Sequence, residues 1–332
     1  MKHKKSLAAV VSLSILLAVV SPGVSIPIVL ARAANDAEVV RYSPELDELR
    51  QQLSATGTVD VTLAGAEYIT TLDGFDPATS QTLITNNRTH LTGWQFVPND
   101  PRRGGHASIT YVVDQSDGTA FTLLADNTVT SIANFSTESV IDQTMTKWQT
   151  DTGCNGPAIV KVADSGGNID VADDLVFGRR PLGIQIADIT HGGWINRNFF
   201  NVILPGGADY ILGVAITWVF IDQNGNPTDI DNNGRYDLSF VEIYYNRGFA
   251  WSPLGDQENT QNIDIESLVK HESGHALGLD HFGRVFLTKN GTEIDDIHYA
   301  PRAVMNAVYV SPFRELTGTD KASFCHLWAN SN

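Results

Sequence analysis

Between residues 107 and 162 the hydrophobic positions change period twice. Ile109, Tyr111 and Val113 alternate with polar residues, as a half-buried strand requires. Ile141, Met145 and Trp148 then fall at helical spacing, and Ser136 stands where a helix N-cap would. Apolar runs predict further strands at residues 158–162, 202–204, 211–221 and 240–245, and helical spacing returns at about 264–279 and 319–328. Strands and helices mix without the regular alternation of a doubly wound sheet, so the pattern predicts an α+β fold.

Ahead of this stretch the pattern is looser. Ser43 and Pro44 would open a short amphipathic helix over residues 43–54, with Leu46, Leu49 and Leu53 on one face. Val59, Val61 and Leu63 alternate as a strand would. Residues 70–104 are rich in Thr, Asn, Asp, Gly and Pro and predict loop or linker. At the start, Lys2, Lys4 and Lys5 precede an apolar run of about 14 residues, and Ala31-Arg32-Ala33 supplies a small-x-small pattern. That run is short of the roughly 20 residues a membrane span needs, so residues 1–33 predict an export signal. The division expected is a signal at 1–33, an N-terminal region at 34–106 and the main domain at 107–332.

Composition narrows the function classes. With 42% hydrophobic and 18% charged residues over 332 positions, the chain has ample material for a core, and disorder is excluded. The formal charge is −16, from 22 Lys+Arg against 38 Asp+Glu. Basic clusters are confined to the extreme N-terminus, which argues against nucleic acid as a partner and leaves cations as plausible ones. The two cysteines, Cys154 and Cys325, exclude a disulfide-knotted scaffold and a Cys-rich zinc module. Export would let them form a disulfide; two unpaired buried thiols are the alternative.

The chemistry concentrates in His271-Glu272-Ser273-Gly274-His275-Ala276-Leu277-Gly278-Leu279-Asp280-His281. His271 and His275 are four residues apart on a predicted helix, so both imidazoles project from one face and can grip one ion. Gly278 suits an abrupt left-handed exit, which would bring His281 back to the same ion. Three neutral imidazoles with an open fourth position make a catalytic zinc arrangement rather than a closed structural one. Glu272 follows the first ligand and is placed to act as general base and then general acid, while zinc activates the attacking water.

This run resembles the zinc signature of the metzincin metalloproteases. Met305, in Ala303-Val304-Met305-Asn306, stands where that family has its Met-turn, and the closest resemblance is to the matrixins. The resemblance implies a twisted mixed sheet, an active-site helix, a Met-turn and a C-terminal helix, with residues 107–332 as the catalytic domain. It also implies that Val214, Ala215, Ile216 and Thr217 form an open edge strand taking substrate by antiparallel pairing. Trp148, and Leu316-Thr317 with Asp320, match the ends of the family's first and last helices. Matrixins often hold themselves latent with a propeptide Cys on the zinc. Residues 34–106 contain no Cys, so any latency must work otherwise. Phe282 matches none of the residues that usually mark the subgroups, and Ala307 stands where astacins and serralysins have a tyrosine ligand.

Residues 222–237 are dense in oxygen ligands. Asp229, Asp231, Asn233 and Gly234 match the opening of a calcium loop, but its twelfth position is Phe240 and the nearest carboxylate is Glu242. Asp222, Asn224, Asp229, Asp231, Asn233, Asp237 and Glu242 are the candidate ligands for a structural calcium; a solvated hairpin is the alternative. His191 with Asp188 is too small a set for a second zinc site.

The expected function is that of a secreted, monomeric zinc endopeptidase acting on protein or peptide substrates, without a stable membrane anchor. Its rivals are a non-catalytic binding module on the same fold and a zinc hydrolase of non-peptide amides or esters. The intact Glu272 argues against the first.

Overall fold

The computed structural model describes residues 51, 60–71, 91–114, 121–123, 129–131, 135–167, 169–177, 186–253, 262–290 and 293–329. Residues 38–332 form one compact unit. The predicted export signal lies outside the described residues, as does the predicted helix over 43–54 apart from residue 51.

In chain order the strands are β1 (Val61–Thr70), β2 (Trp94–Gln95), β3 (Ile109–Val113), β4 (Phe121–Leu123), β5 (Val129–Ser131), β6 (Ile159–Lys161) and β7 (Ile189–Ile195). They continue with β8 (Ile211–Phe220), β9 (Tyr236–Asn246), β10 (Trp251–Ser252), β11 (Ile263–Asp264), β12 (Arg284–Asn290) and β13 (Glu293–Ala300). The helices are α1 (Thr137–Thr150), α2 (Ala172–Val176), α3 (Phe200–Ile203), α4 (Ile265–Ala276) and α5 (Gly318–Trp328). The fold is α+β, as the pattern predicts.

The main sheet runs β1-β8-β9-β7-β3-β6, with β2 paired to one end of β9. β9, β7, β3 and β6 are mutually parallel, while β8 and β1 reverse direction in turn. Both faces are covered. Alternate residues of β8 and β9 separate into two clusters: Leu212, Ala215, Val219, Leu238, Val241, Ile243 and Tyr245 meet α1, α4 and α5, and Ile211, Val214, Ile216, Trp218, Phe240 and Tyr244 meet α2 and α3. This double coverage explains why the strands read as continuous apolar runs.

The helices start where their caps allow. Ser136 accepts from the Ser139 amide at 3.2 Å, Asp264 from the Ser267 amide at 3.0 Å, and Thr317 forms a reciprocal capping box with Asp320. A disulfide between Cys154 and Cys325 ties the chain after α1 to α5. No helix of the described residues is long and apolar enough to cross a membrane.

Three expectations change. Residues 200–203 are helical rather than a strand at 202–204. Phe200 and Ile203 bury one face of a single turn, which Pro205-Gly206 ends, and so short an apolar run does not distinguish the two periods. Residues 70–104 are not wholly loop and linker, because Trp94–Gln95 form β2, which pairs with β9 of the main sheet. Val214, Ala215, Ile216 and Thr217 do not form an open edge: β1 pairs with β8 along their whole length. A buried apolar strand carries the same pattern whether one or both of its edges are filled.

Candidate metal centre

Helix α4 carries His271, Glu272 and His275 on a segment buried along its whole length from Ser267. It is held from behind: the Trp148 indole N–H donates to the Lys270 carbonyl at 3.0 Å, and that of Trp328 to the Leu277 carbonyl at 3.0 Å. The helix runs to Ala276 and the chain leaves it through Gly278, whose φ of +88° is the left-handed exit foreseen. A side chain there would also strike Leu327, since a Cβ would lie 2.7 Å from Leu327 Cδ2. The turn brings His281 back to the two helical histidines.

The three Nε2 atoms form a small triangle: 3.0 Å from His271 to His275, 3.2 Å from His275 to His281 and 3.3 Å from His271 to His281. Tetrahedral zinc with Zn–N bonds of about 2.0–2.1 Å requires edges of about 3.3–3.4 Å. The His271 Nδ1–H donates to the Val304 carbonyl at 2.7 Å, and the His275 Nδ1–H to the Leu279 carbonyl at 2.7 Å. These bonds fix both tautomers and turn the Nε2 lone pairs toward one another, an arrangement that repels unless a cation stands between them. Burial pushes His271 down to about 4, so it is neutral and ready to ligate at neutral pH. The donor set therefore fits zinc.

Met305 lies directly beneath the helix. A Cβ on Gly274 would stand 2.3 Å from its Sδ, so only glycine permits the contact. The turn around it is anchored by Asp320, which accepts from the Val304 amide at 3.0 Å and the Met305 amide at 3.2 Å while capping α5. Since the Val304 carbonyl also accepts the hydrogen bond from His271 Nδ1–H, α5, the turn and the first histidine form one connected support.

Glu272 is fully buried, with the Ile69 amide beside its carboxylate. It rests on β8 at Gly213, where a Cβ would lie 3.0 Å from its Oε1. Burial first, and then the nearby Glu67, push its carboxyl well above the ordinary range; the Ile69 amide opposes them.

Comparison with known proteins adds little. No protein-family description matches the chain, and no curated protein does. Among solved structures, the GM1-bound form of the ECX AB5 holotoxin is similar at 13% identity, with a TM-score of 0.28, over 72% of this chain and 76% of that one. So weak a likeness carries no argument. The functional reading rests on the residues themselves.

The predicted calcium ligands separate into three groups. Asp229, Asp231 and Asp237 place carboxylate oxygens within 4.8 Å of one another. Asn233 donates to Asp229 and Asp231. Asp237 already pairs with Arg102 at 2.7 Å. Asp222 instead closes its own turn, accepting the Asn224 and Asn226 amides at 2.8 and 2.9 Å. Glu242 points into the sheet's other face. It accepts from the amides of Val171 and Ala172, the Trp218 indole at 2.8 Å and the Tyr244 hydroxyl at 3.2 Å. It anchors the start of α2 and is not in the loop. Its alternation with Val241 and Ile243 puts it on the face away from α4. His191 and Asp188 are likewise separate, held by Tyr245 and by Arg103.

Sequence reasoning missed two residues near the histidines. Gly213 gives Glu272 its room, and its only signal is a glycine interrupting a strand. Glu67 is the second: it is 2% exposed, with a carboxylate oxygen within 4.8 Å of ligand atoms of His281 and Asp280. A single acid in an otherwise apolar strand, VTLAGAEYIT, was the signal available.

Proposed function

We propose that this protein is a zinc-dependent endopeptidase of metzincin type, nearest the matrixins, and that it is exported. The observation that carries the reading is the triangle of three buried Nε2 atoms, with the buried Glu272 carboxylate next to His271 on the same helix. His271, His275 and His281 would hold the zinc; when bound, it supplies a Lewis acid that polarises the scissile carbonyl and makes water acidic near pH 7.

Glu272 would take the proton from the attacking water as a carboxylate and later deliver it to the leaving amine. Gly213 keeps β8 close enough to hold that carboxylate in one place. Met305 and Val304 fix the height and tautomer of the histidines from below. The Cys154–Cys325 disulfide supports an extracellular setting.

The test is digestion of a denatured protein followed by mass spectrometry of the fragments, with and without a zinc chelator. Chelator-sensitive cleavage, restored by added zinc, is expected. Cleavage of small esters alone would support non-peptide hydrolysis instead.

A further inference from the structure

Two of the three histidines ride on α4, but His281 follows it, in the irregular stretch between the left-handed Gly278 and β12. Regular structure therefore does not set its backbone. The entry to this stretch is pinned: the Gly278 carbonyl accepts from the Thr92 amide at 3.1 Å and from the Thr92 hydroxyl at 3.2 Å. The exit is pinned through Phe282, the residue after His281. Its N–H donates to the Met305 carbonyl at 2.7 Å, and its carbonyl accepts from Asn306 Nδ2 at 2.6 Å. These two bonds fix the peptide planes on either side of Phe282, the first of which it shares with His281.

Asn306 is suited to this by its chemistry. It is buried, and its amide offers an acceptor and two donors at once. Oδ1 accepts from the Ala303 amide at 2.9 Å, while Nδ2 donates to the carbonyls of Phe282 and, at 3.3 Å, of Pro301. One backbone N–H and two carbonyls dictate that orientation, since the reversed amide would meet each with the wrong partner. The same turn holds His271, whose Nδ1–H reaches the Val304 carbonyl. Residues 303–306 thus grip the first histidine by its ring and the third through the backbone beside it. The 3.3 Å between the Nε2 atoms of His271 and His281 spans these two grips.

We propose that Asn306 is a positioning residue for the metal centre: by holding Phe282 to the turn, it sets His281 at the separation from His271 that one ion requires. It acts through the backbone, whereas Val304 acts through a bond to the His271 ring. Loss of the Asn306 amide takes a donor from the buried Phe282 carbonyl and loosens the chain that carries His281. This inference rests on the zinc-peptidase reading of the site, but metal binding can be measured apart from hydrolysis.

The experiment compares the full chain with Asn306→Ala, Asn306→Asp and, as a comparator, Glu242→Gln, each shown to be folded by its thermal transition. Asn306→Asp keeps an acceptor for the Ala303 amide and removes only the donor to Phe282, so it serves if the alanine variant does not fold. Glu242→Gln disturbs the opposite face of the sheet. Zinc affinity is read by competition with a chromophoric chelator, and the ligand arrangement by the visible absorption of bound cobalt(II). Both Asn306 variants should bind zinc about 10–100-fold more weakly and shift the cobalt bands. Glu242→Gln should leave both readings unchanged. Parent affinity and bands in the folded Asn306 variants, or equal changes in Glu242→Gln, would overturn the proposal while leaving a chelator-sensitive parent activity, and hence the hydrolytic reading, intact. The expected metal effects with no cleavage by the parent chain would uphold the role of Asn306 and count against the hydrolytic reading instead.

Discussion

Gly274 and Met305 meet so closely that one added methyl group would not fit: a Cβ at 274 would stand 2.3 Å from the Met305 sulfur and 3.0 Å from Trp148 Cζ2. The contact joins the helix bearing two of the histidines to the turn that fixes the first of them through Val304.

Gly274→Ala should therefore cost about 1–3 kcal/mol, the usual range for overpacking a tight core. Urea unfolding measures it. The same variant should bind zinc more weakly, because the turn cannot move without shifting the carbonyl that orients His271. Unaltered stability would mean that the sulfur has room to retreat.

Glu242 titrates in a way that should show in stability. Burial pushes its carboxyl up to about 7, although the Val171 and Ala172 amides and the Trp218 and Tyr244 donors pull the other way. Its folded pKa lies above its unfolded one, so the folded state holds the proton more tightly between about pH 4.5 and 7. The group's contribution is fully present below about 4.5 and is lost as pH rises through 7. Glu242→Gln should flatten that part of the stability profile. It should also cost about 1–3 kcal/mol at neutral pH, because an amide nitrogen then faces hydrogen-bond donors. Denaturant melts at pH 4.5, 6 and 7.5 report both effects.

The disulfide spans 171 residues of sequence. In the chain-entropy model, cross-linking so long a loop is worth about 5 kcal/mol. The double variant Cys154→Ser, Cys325→Ser should lose stability of that order, read from its denaturant midpoint. A loss below about 1 kcal/mol would show that the unfolded chain is not restrained by the link.

The acidic loop should bind calcium only weakly. Only Asp229, Asp231 and Asp237 converge among the predicted carboxylates, and Arg102 already neutralises Asp237. A dissociation constant of about 10⁻⁴–10⁻³ M, the range of extracellular modules, is expected by calorimetric titration. Submicromolar binding would contradict this assignment.

The parts of the molecule legible from sequence are those set by local spacing. His271 and His275 at i and i+4, the left-handed Gly278, the Ser136 cap and the alternation of β3 each require only a few neighbouring residues, and each stands where the pattern put it. The misread parts depend on distant partners. Glu242 looked like a loop ligand because it follows the loop, whereas its donors come from residues 171, 172 and 218. Residues 214–217 read as an edge because nothing in their own pattern reports β1, about 150 residues earlier. Glu67 went unseen for the same reason: only the strand pairing brings it beside His281 and Asp280.

The central claim, that three histidines and Glu272 make a zinc peptidase, is tested most directly in the full chain with and without Glu272→Ala. Zinc per chain by elemental analysis and fragment release from a denatured protein are measured together. The account predicts that one zinc is retained in both proteins, while loss of the general base slows hydrolysis by about 10²–10⁴-fold. Equal rates with and without Glu272 would contradict it.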